Sequence, residues 1–261
     1  MLTQIENISA QVAAANHKAK ASAAVLPYFV AAMMAGTFIG LADIFMLTAG
    51  GPLRMAGSPF ASLVEGGIFG IGLIMCVFAG GELATSAMMI LPVGLLEKKV
   101  ALGPAARAFA LMVLGNLAGA MVLSAIVLGS GIMDAQAVPG QALTALVAAK
   151  THKTTTALFF RAILCNVLVC VAMWAVTRTK SDVAKMILMA WGMAAFVASG
   201  MEHVVANMTT FSLGLFHGVD HATWAEAGRN LSAVLLGNIV GGAVFVGLSQ
   251  WYAARAEKVA H

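Results

Sequence analysis

Glu202 and His203 stand side by side in the middle of an apolar stretch. Met186 to Met201 is 16 residues without a charge, and Val204 to Phe216 adds 13 more. An ionisable pair at that depth in a membrane is costly, which makes it a functional-site candidate. A histidine there can donate a hydrogen bond or a proton to a passing anion, and burial disfavours its charged form. The bland alternative is a packed histidine satisfied by backbone. Glu82 is a second acid in a similar setting, after 16 uncharged residues from Gly66 and before 14 more. Glu82 and Glu202 have two readings: proton carriers on a pore wall, or acceptors for backbone N–H groups exposed where a helix is interrupted. A negative wall repels anions, so bracing is the preferred role for both. His217 and His221 have i, i+4 metal spacing, yet they lie in a loop with no evident further ligand. No metal site and no cofactor is expected.

The elements around these residues follow from composition. The chain of 261 residues is 61% hydrophobic and 10% charged, with mean hydropathy +0.91, against about 25% charged in a soluble domain. This is an all-α integral membrane protein. Its basic residues are scattered at segment ends, so nucleic acid is not a partner. Cys76, Cys165 and Cys170 all fall in apolar stretches and read as small core residues. Residues 1–23 read as an amphipathic helix at the cytoplasmic membrane surface, with Ile5, Ile8 and Val12 at helical spacing. Residues 24–253 form one channel domain, and residues 254–261 a cytoplasmic tail.

Six spans are expected: Ala21–Ala42, Gly66–Leu96, Ala108–Met133, Ala157–Thr177, Met186–Phe216 and Leu231–Tyr252. Ala49-Gly-Gly-Pro52 and Gly57-Ser-Pro59 read as the loop after the first, and Gln141–Thr156 as a long polar connection or a surface helix. The second and fifth are each 31 residues long. As helices they would reach about 46 Å, well past a hydrocarbon core of about 30 Å, so each is steeply tilted or broken. Gly80-Gly81 marks the break in the second. An internal echo supports this: Ala79-Gly-Gly-Glu82 parallels Ala198-Ser-Gly-Met-Glu202, and Gly115-Asn116-x-x-Gly119 parallels Gly237-Asn238-x-x-Gly241. Glu82 precedes Gly115 by 33 residues and Glu202 precedes Gly237 by 35. Three spans per half means that the halves run in opposite directions, an inverted repeat. With both termini in the cytoplasm, ten basic residues fall inside and five outside, in keeping with the positive-inside rule.

At Gly80-Gly-Glu-Leu-Ala-Thr-Ser86, Leu164-Cys-Asn-Val-Leu-Val-Cys170, Phe196 to Met208 and Gly237 to Gly247, the chain resembles the formate/nitrite transporter family. Lys150 to Asn207, with Phe159-Phe-Arg-Ala-Ile-Leu-Cys165, brings it nearest the nitrite channel branch. The resemblance implies a homopentamer of aquaporin-like protomers in a bacterial inner membrane, each with its own pore for nitrite, or for formate or hydrosulfide. By the resemblance His203 is the central pore histidine, Thr85 its partner, and Asn166 lies nearby. Lys150 matches the lysine of the outer vestibule, although taken alone it reads as a solvated surface lysine. Phe69, Leu73, Leu83, Val169 and Phe196 match two apolar constrictions above and below the histidine. Ala84 departs from the bulky aromatic often found there in the family, so the inner constriction is wider or built by other residues. Asn116 and Asn238 read as packing residues between spans.

Other functions fit less well. A bis-histidine haem subunit or membrane enzyme needs axial ligands that a lone intramembrane histidine cannot supply. A water or glycerol pore shows Asn-Pro-Ala pairs, and no proline here follows an asparagine. An ammonium conductor wants two pore histidines.

Overall fold

The computed structural model describes residues 1–260, with side chains through Ala256, so the end of the expected tail and Lys258 lie outside the described side chains. Among the described residues every regular element is a helix. They run α1 (Gln4–Ala21), α2 (Val25–Phe45), α3 (Gly51–Met55), α4 (Ala61–Phe69), α5 (Ile71–Phe78), α6 (Ala84–Leu96), α7 (Leu102–Ser130), α8 (Val138–Thr151), α9 (Thr155–Arg178), α10 (Asp182–Ala198), α11 (Val204–Phe216), α12 (Trp224–Val240) and α13 (Ser249–Ala260). Wider π turns at Met46–Gly50 and Gly241–Leu248 join α2 to α3 and α12 to α13.

Five helical segments are long and apolar enough to cross a membrane: Val25–Met55, Ala61–Phe78, Leu102–Ser130, Thr155–Arg178 and Trp224–Ala256. The first runs beyond its expected end at Ala42. Ala49-Gly-Gly-Pro52 is helical there and not a loop, because Pro52 falls in the first turn of α3, where its missing N–H has no partner to lose. The loop is confined to Gly57-Ser-Pro59. The connection between α7 and α9 contains α8, a 14-residue helix.

Small residues set how closely the helices approach. The Gly-Asn-x-x-Gly stretch of α7 crosses α2, where a Cβ on Gly119 would overlap the Met33 carbonyl oxygen. The matching stretch of α12 crosses α9, where a Cβ on Gly241 would overlap the Ile163 carbonyl oxygen. Only glycine admits backbone contact this close, as is usual where membrane helices pack.

The N-terminal helix is built as a separate, polar element. Thr3 caps it, accepting the Glu6 N–H at 3.2 Å while the Glu6 carboxylate accepts the Thr3 N–H at 2.8 Å. Its Asn7 amide donates to the Trp174 carbonyl at 3.1 Å, and the Thr177 hydroxyl donates to Asn7 Oδ1 at 2.5 Å, tying α1 to the end of α9.

Candidate functional site

Two helix interruptions, residues 79–83 and 199–203, organise the site. Each begins with a turn that needs the left-handed region, which glycine enters without strain: Gly80 has φ +86 and Gly200 φ +65. Each then runs extended into a new helix, α6 from Ala84 and α11 from Val204.

The two interruptions are satisfied by the same set of bonds. Asn116 Oδ1 accepts the Ala84 N–H at 3.0 Å, and its amide donates to the carbonyls of Ala32 at 2.8 Å and Glu82 at 3.0 Å. Asn238 Oδ1 accepts the Val204 N–H at 2.9 Å, and its amide donates to the carbonyls of Ala162 at 2.7 Å and Glu202 at 3.0 Å. The Glu82 N–H reaches the Ala31 carbonyl at 3.0 Å, and the Glu202 N–H the Arg161 carbonyl at 3.4 Å. Both asparagines are fully buried. They are therefore more than packing residues: each holds three backbone groups that have no water to turn to.

The glutamate side chains do not take those N–H groups, which corrects the expectation that they brace the breaks in that way. Asparagine offers an acceptor and a donor together, which an unpaired helix start and stray carbonyls both require; a carboxylate offers only acceptors. The carboxylates bind cations instead. Glu82 accepts from Lys18 Nζ at 2.5 Å and from the Tyr28 hydroxyl at 3.2 Å. Glu202 accepts from Lys150 Nζ at 2.9 Å and from the Asn207 amide at 2.8 Å, and pairs with Lys153 at 3.2 Å. Lys150 is accordingly no solvated surface lysine. It is 9% exposed and also donates to Asn207 Oδ1 at 2.7 Å. A buried carboxylate next to two ammonium groups leaves the cluster with a surplus positive charge. Burial first, with Lys150 adding to it, holds the Lys153 ammonium below the ordinary lysine value, although Glu202 pulls the other way.

His203 is 2% exposed and sits at the N-cap of α11. Its Nδ1 accepts the Ala206 N–H at 3.2 Å, so the proton of a neutral ring lies on Nε2. That Nε2 is 3.0 Å from Thr85 Oγ1. Thr85 therefore receives the histidine's hydrogen bond and keeps its own hydroxyl hydrogen for another acceptor. Asn166 lies behind, donating to the Thr85 carbonyl at 3.2 Å and the Asn238 carbonyl at 2.7 Å. The N-terminal ends of α6 and α11 thus meet at the Thr85–His203 contact, and both helix dipoles present their positive ends there.

On one side of that contact lies a cavity of about 230 Å³, lined by Asp43, Arg54, Glu65, Phe69, Lys150, Lys153, Phe196, Glu202 and His203, among others. The Phe196 ring stacks on His203 at 5.5 Å and meets Phe69 edge-on at 5.7 Å. Phe69, Leu73, Leu83, Val169 and Phe196 share one buried cluster. Ala84 is fully buried in a second cluster with Met89 and Val93. Arg54 binds the Glu65 carboxylate with two guanidinium nitrogens. His217 and His221 do not come together; His217 Nδ1 is 2.9 Å from the Leu213 carbonyl, and His221 lies by His152, ring centroids 5.8 Å apart. Among the described residues no cluster of three potential ligands could hold a metal.

Sequence reasoning passed over Asn207, Lys153, Lys18 and Asp43 as site residues, and took Asn116 and Asn238 for packing. The near-equal spacing from each glutamate to its Gly-Asn pair was the available signal for the asparagines. Nothing local marks Lys18 or Asp43, whose partners are 64 and 167 residues away in the chain. Lys153 likewise meets Glu202 only through the packing of α8 against the second interruption.

A profile of the family described as Formate/nitrite transporter matches residues 6–252. The nitrite transporter NirC of Salmonella typhimurium is 40% identical over 229 residues, covering 87% of this chain and 83% of that protein. A solved structure titled FNT family ion channel superimposes with TM-score 0.88 at 38% identity, covering 95% of this chain and 99% of the other. A second, titled pentameric formate channel with formate bound, superimposes with TM-score 0.76 at 30% identity, covering 89% and 98%.

Proposed function

From a chain that belongs to the formate/nitrite transporter family, and is thus a multi-pass membrane protein of a family of channels and transporters, we infer a channel that passes nitrite through a pore centred on His203. The observation that carries this reading is the contact of His203 Nε2 with Thr85 at 3.0 Å where the N-terminal ends of α6 and α11 meet. Two helix dipoles and two hydroxyl or imidazole donors converge on one point, and an anion is the ligand they suit.

In this reading the chain crosses the bilayer six times in an inverted 3+3 repeat. The second and fifth crossings are the interrupted pairs α4–α5 with α6 and α10 with α11. The Asn116 and Asn238 bonds support the repeat, since each ties the break of one half to the other two long helices of the same half. Residues 24–253 form the channel, α1 lies on the cytoplasmic side with both termini, and the membrane is the inner membrane of a bacterium. Five copies assemble, as in the formate channel whose structure is similar, each with its own pore.

Passage begins in the cavity, where Lys150 and Lys153 hold a net positive charge beside Glu202 and raise the local anion concentration. Phe69 and Phe196, with Leu73, close the cavity above His203; Leu83, Ala84 and Val169 line the constriction below. Asn166 positions Thr85 through its carbonyl. At the centre the neutral imidazole donates from Nε2, the Thr85 hydroxyl donates beside it, and the anion's charge is spread as it crosses the apolar seals. Below them Lys18 and Glu82 repeat the lysine–glutamate pair on the inner side. Glu82 and Glu202 brace the breaks by holding these lysines in place.

Nitrite heads the order of substrates because the NirC relative is nearer in sequence than the formate channel described above; formate and hydrosulfide share its size, charge and weak-acid chemistry. Flux of nitrite, formate, hydrosulfide and chloride into liposomes holding the purified protein tests the reading. Nitrite is expected to move fastest and chloride slowest, and His203→Phe to abolish the difference. Equal nitrite flux in wild type and His203→Phe would remove His203 from the pore.

A further inference from the structure

The outer cavity contains one acid without a cation. Arg54 is taken up by Glu65, and Lys150 and Lys153 are both taken up by Glu202. Asp43 on α2 lines the same cavity as His203, is 2% exposed, and has no ion-pair partner among the described residues. Its Oδ2 is 2.8 Å from the Thr210 hydroxyl, and its Oδ1 has no protein partner among the described residues. A lone buried carboxylate with one hydrogen bond is a costly arrangement.

The Thr210 hydroxyl has a second neighbour, the Ala206 carbonyl oxygen, at 3.2 Å. A hydroxyl has one hydrogen to give. When it goes to Ala206, the Thr210 oxygen is an acceptor, and Asp43 fits beside it as the protonated acid, donating from Oδ2. When it goes to Asp43, it supports the carboxylate. One hydroxyl rotation therefore satisfies either form of Asp43. The charged and titratable groups facing Asp43 are Arg54 on α3, Glu65 on α4, Lys150 on α8, Lys153 after it, and Glu202 and His203 in the second interruption. The packed helices α5 and α11 carry no charged residue, and α7 carries only Arg107, which bonds to Ser22 and Ala19 at the other end.

We propose that Asp43 is the proton-exchange residue of the outer vestibule, handing a proton to an incoming weak-acid anion before it reaches His203. The proposal rests on the anion-pore reading above. In the step, the O–H bond of the Asp43 acid breaks and an O–H bond forms on an oxygen of nitrite. The negative charge stays behind on the Asp43 carboxylate, and the Thr210 hydroxyl turns from Ala206 to Oδ2. A proton from hydronium at the open mouth then restores the acid. No oxidation state changes. What meets the Phe69–Phe196 seal is neutral nitrous acid, which enters an apolar constriction without the desolvation penalty of an ion.

The test uses the purified full chain in liposomes that enclose a pH dye, with nitrite uptake and internal acidification recorded together. Wild type is expected to carry about one proton per nitrite, and in Asp43→Asn the ratio of protons to nitrite is expected to fall about tenfold while the pH dependence of uptake flattens. Asp43→Glu restores both. Thr210→Val keeps the acid but removes the relay hydroxyl, lowers the ratio in the same direction, and decides the matter if Asp43→Asn does not fold. A wild-type ratio in these variants overturns the proposal. Wild type moving nitrite with no protons also overturns it while leaving the anion pore standing. Wild type moving no nitrite, formate or hydrosulfide overturns the pore reading itself.

Discussion

Removing the side-chain amide of Asn238 exposes three backbone groups that nothing else can reach. The Val204 N–H loses its acceptor, and the carbonyls of Ala162 and Glu202 lose their donor. Asn238 is 0% exposed, so water cannot substitute without opening the bundle. Each stranded buried group costs about 1–3 kcal/mol, so Asn238→Ala should lose about 3 kcal/mol or more. At about 2–4 °C per kcal/mol for a chain of this size, that is a fall of about 6–12 °C or more in the unfolding midpoint. Asn116→Ala strands the equivalent groups at Ala84, Ala32 and Glu82 and should fall by a similar amount. The assay is thermal unfolding of purified protein in detergent, followed by tryptophan fluorescence and by loss of the oligomer on size exclusion. Nitrite flux below the midpoint is measured on the same samples. The variants should conduct less even when folded, because the N-terminal ends of α6 and α11 set where Thr85 and His203 stand. If either variant unfolds at the wild-type temperature, the asparagines do not hold the interruptions and the bonding argument fails.

Lys150→Met leaves Glu202 with Lys153 and Asn207 alone; breaking a buried pair costs about 3–5 kcal/mol, and Lys150→Met/Glu202→Gln together should recover most of the lost thermal stability. A double variant no more stable than the single one would refute this. Burial lowers the Lys153 value below 10.5, so its charge is lost as pH rises towards that figure. The folded protein disfavours the charged form, so stability should rise slightly through that window while anion uptake falls; Lys153→Arg, whose charge does not titrate there, should keep uptake flat. Replacing Gly119 with leucine drives a Cβ into the Met33 carbonyl oxygen, a backbone clash that no side-chain movement can relieve. That variant should yield no folded oligomer, and recovery of a wild-type elution profile would refute the close crossing of α2 and α7.

Hydropathy alone made the membrane class and the approximate helix stretches legible, because burying apolar residues along a helix needs no information from elsewhere in the chain. The excess length of the second and fifth segments exposed their interruptions for the same reason: a helix longer than the hydrocarbon core is visible by counting. The Glu202–His203 pair was legible as costly, and the echo of Ala-Gly-Gly-Glu in Ala-Ser-Gly-Met-Glu as a repeat. The expected loop at Ala49–Pro52 was mistaken because glycine and proline suit a helix start as well as a turn.

The partners were not legible, and partners decide what a buried polar residue does. Glu82 and Glu202 read alike as braces for open backbone, yet in the folded chain asparagines perform that task and the glutamates bind lysines from α1 and from α8 and the loop after it. Lys150 read as a solvated lysine and is almost buried. Asp43 did not stand out at the end of its span, and only the approach of α11 gives it Thr210. Apolar periodicity is a property of a segment and is written in its residues. A hydrogen bond between residues 118 or 167 positions apart is a property of how helices cross. The glycines that let those helices touch are in the sequence, but the atoms they bring together are decided only when the bundle closes.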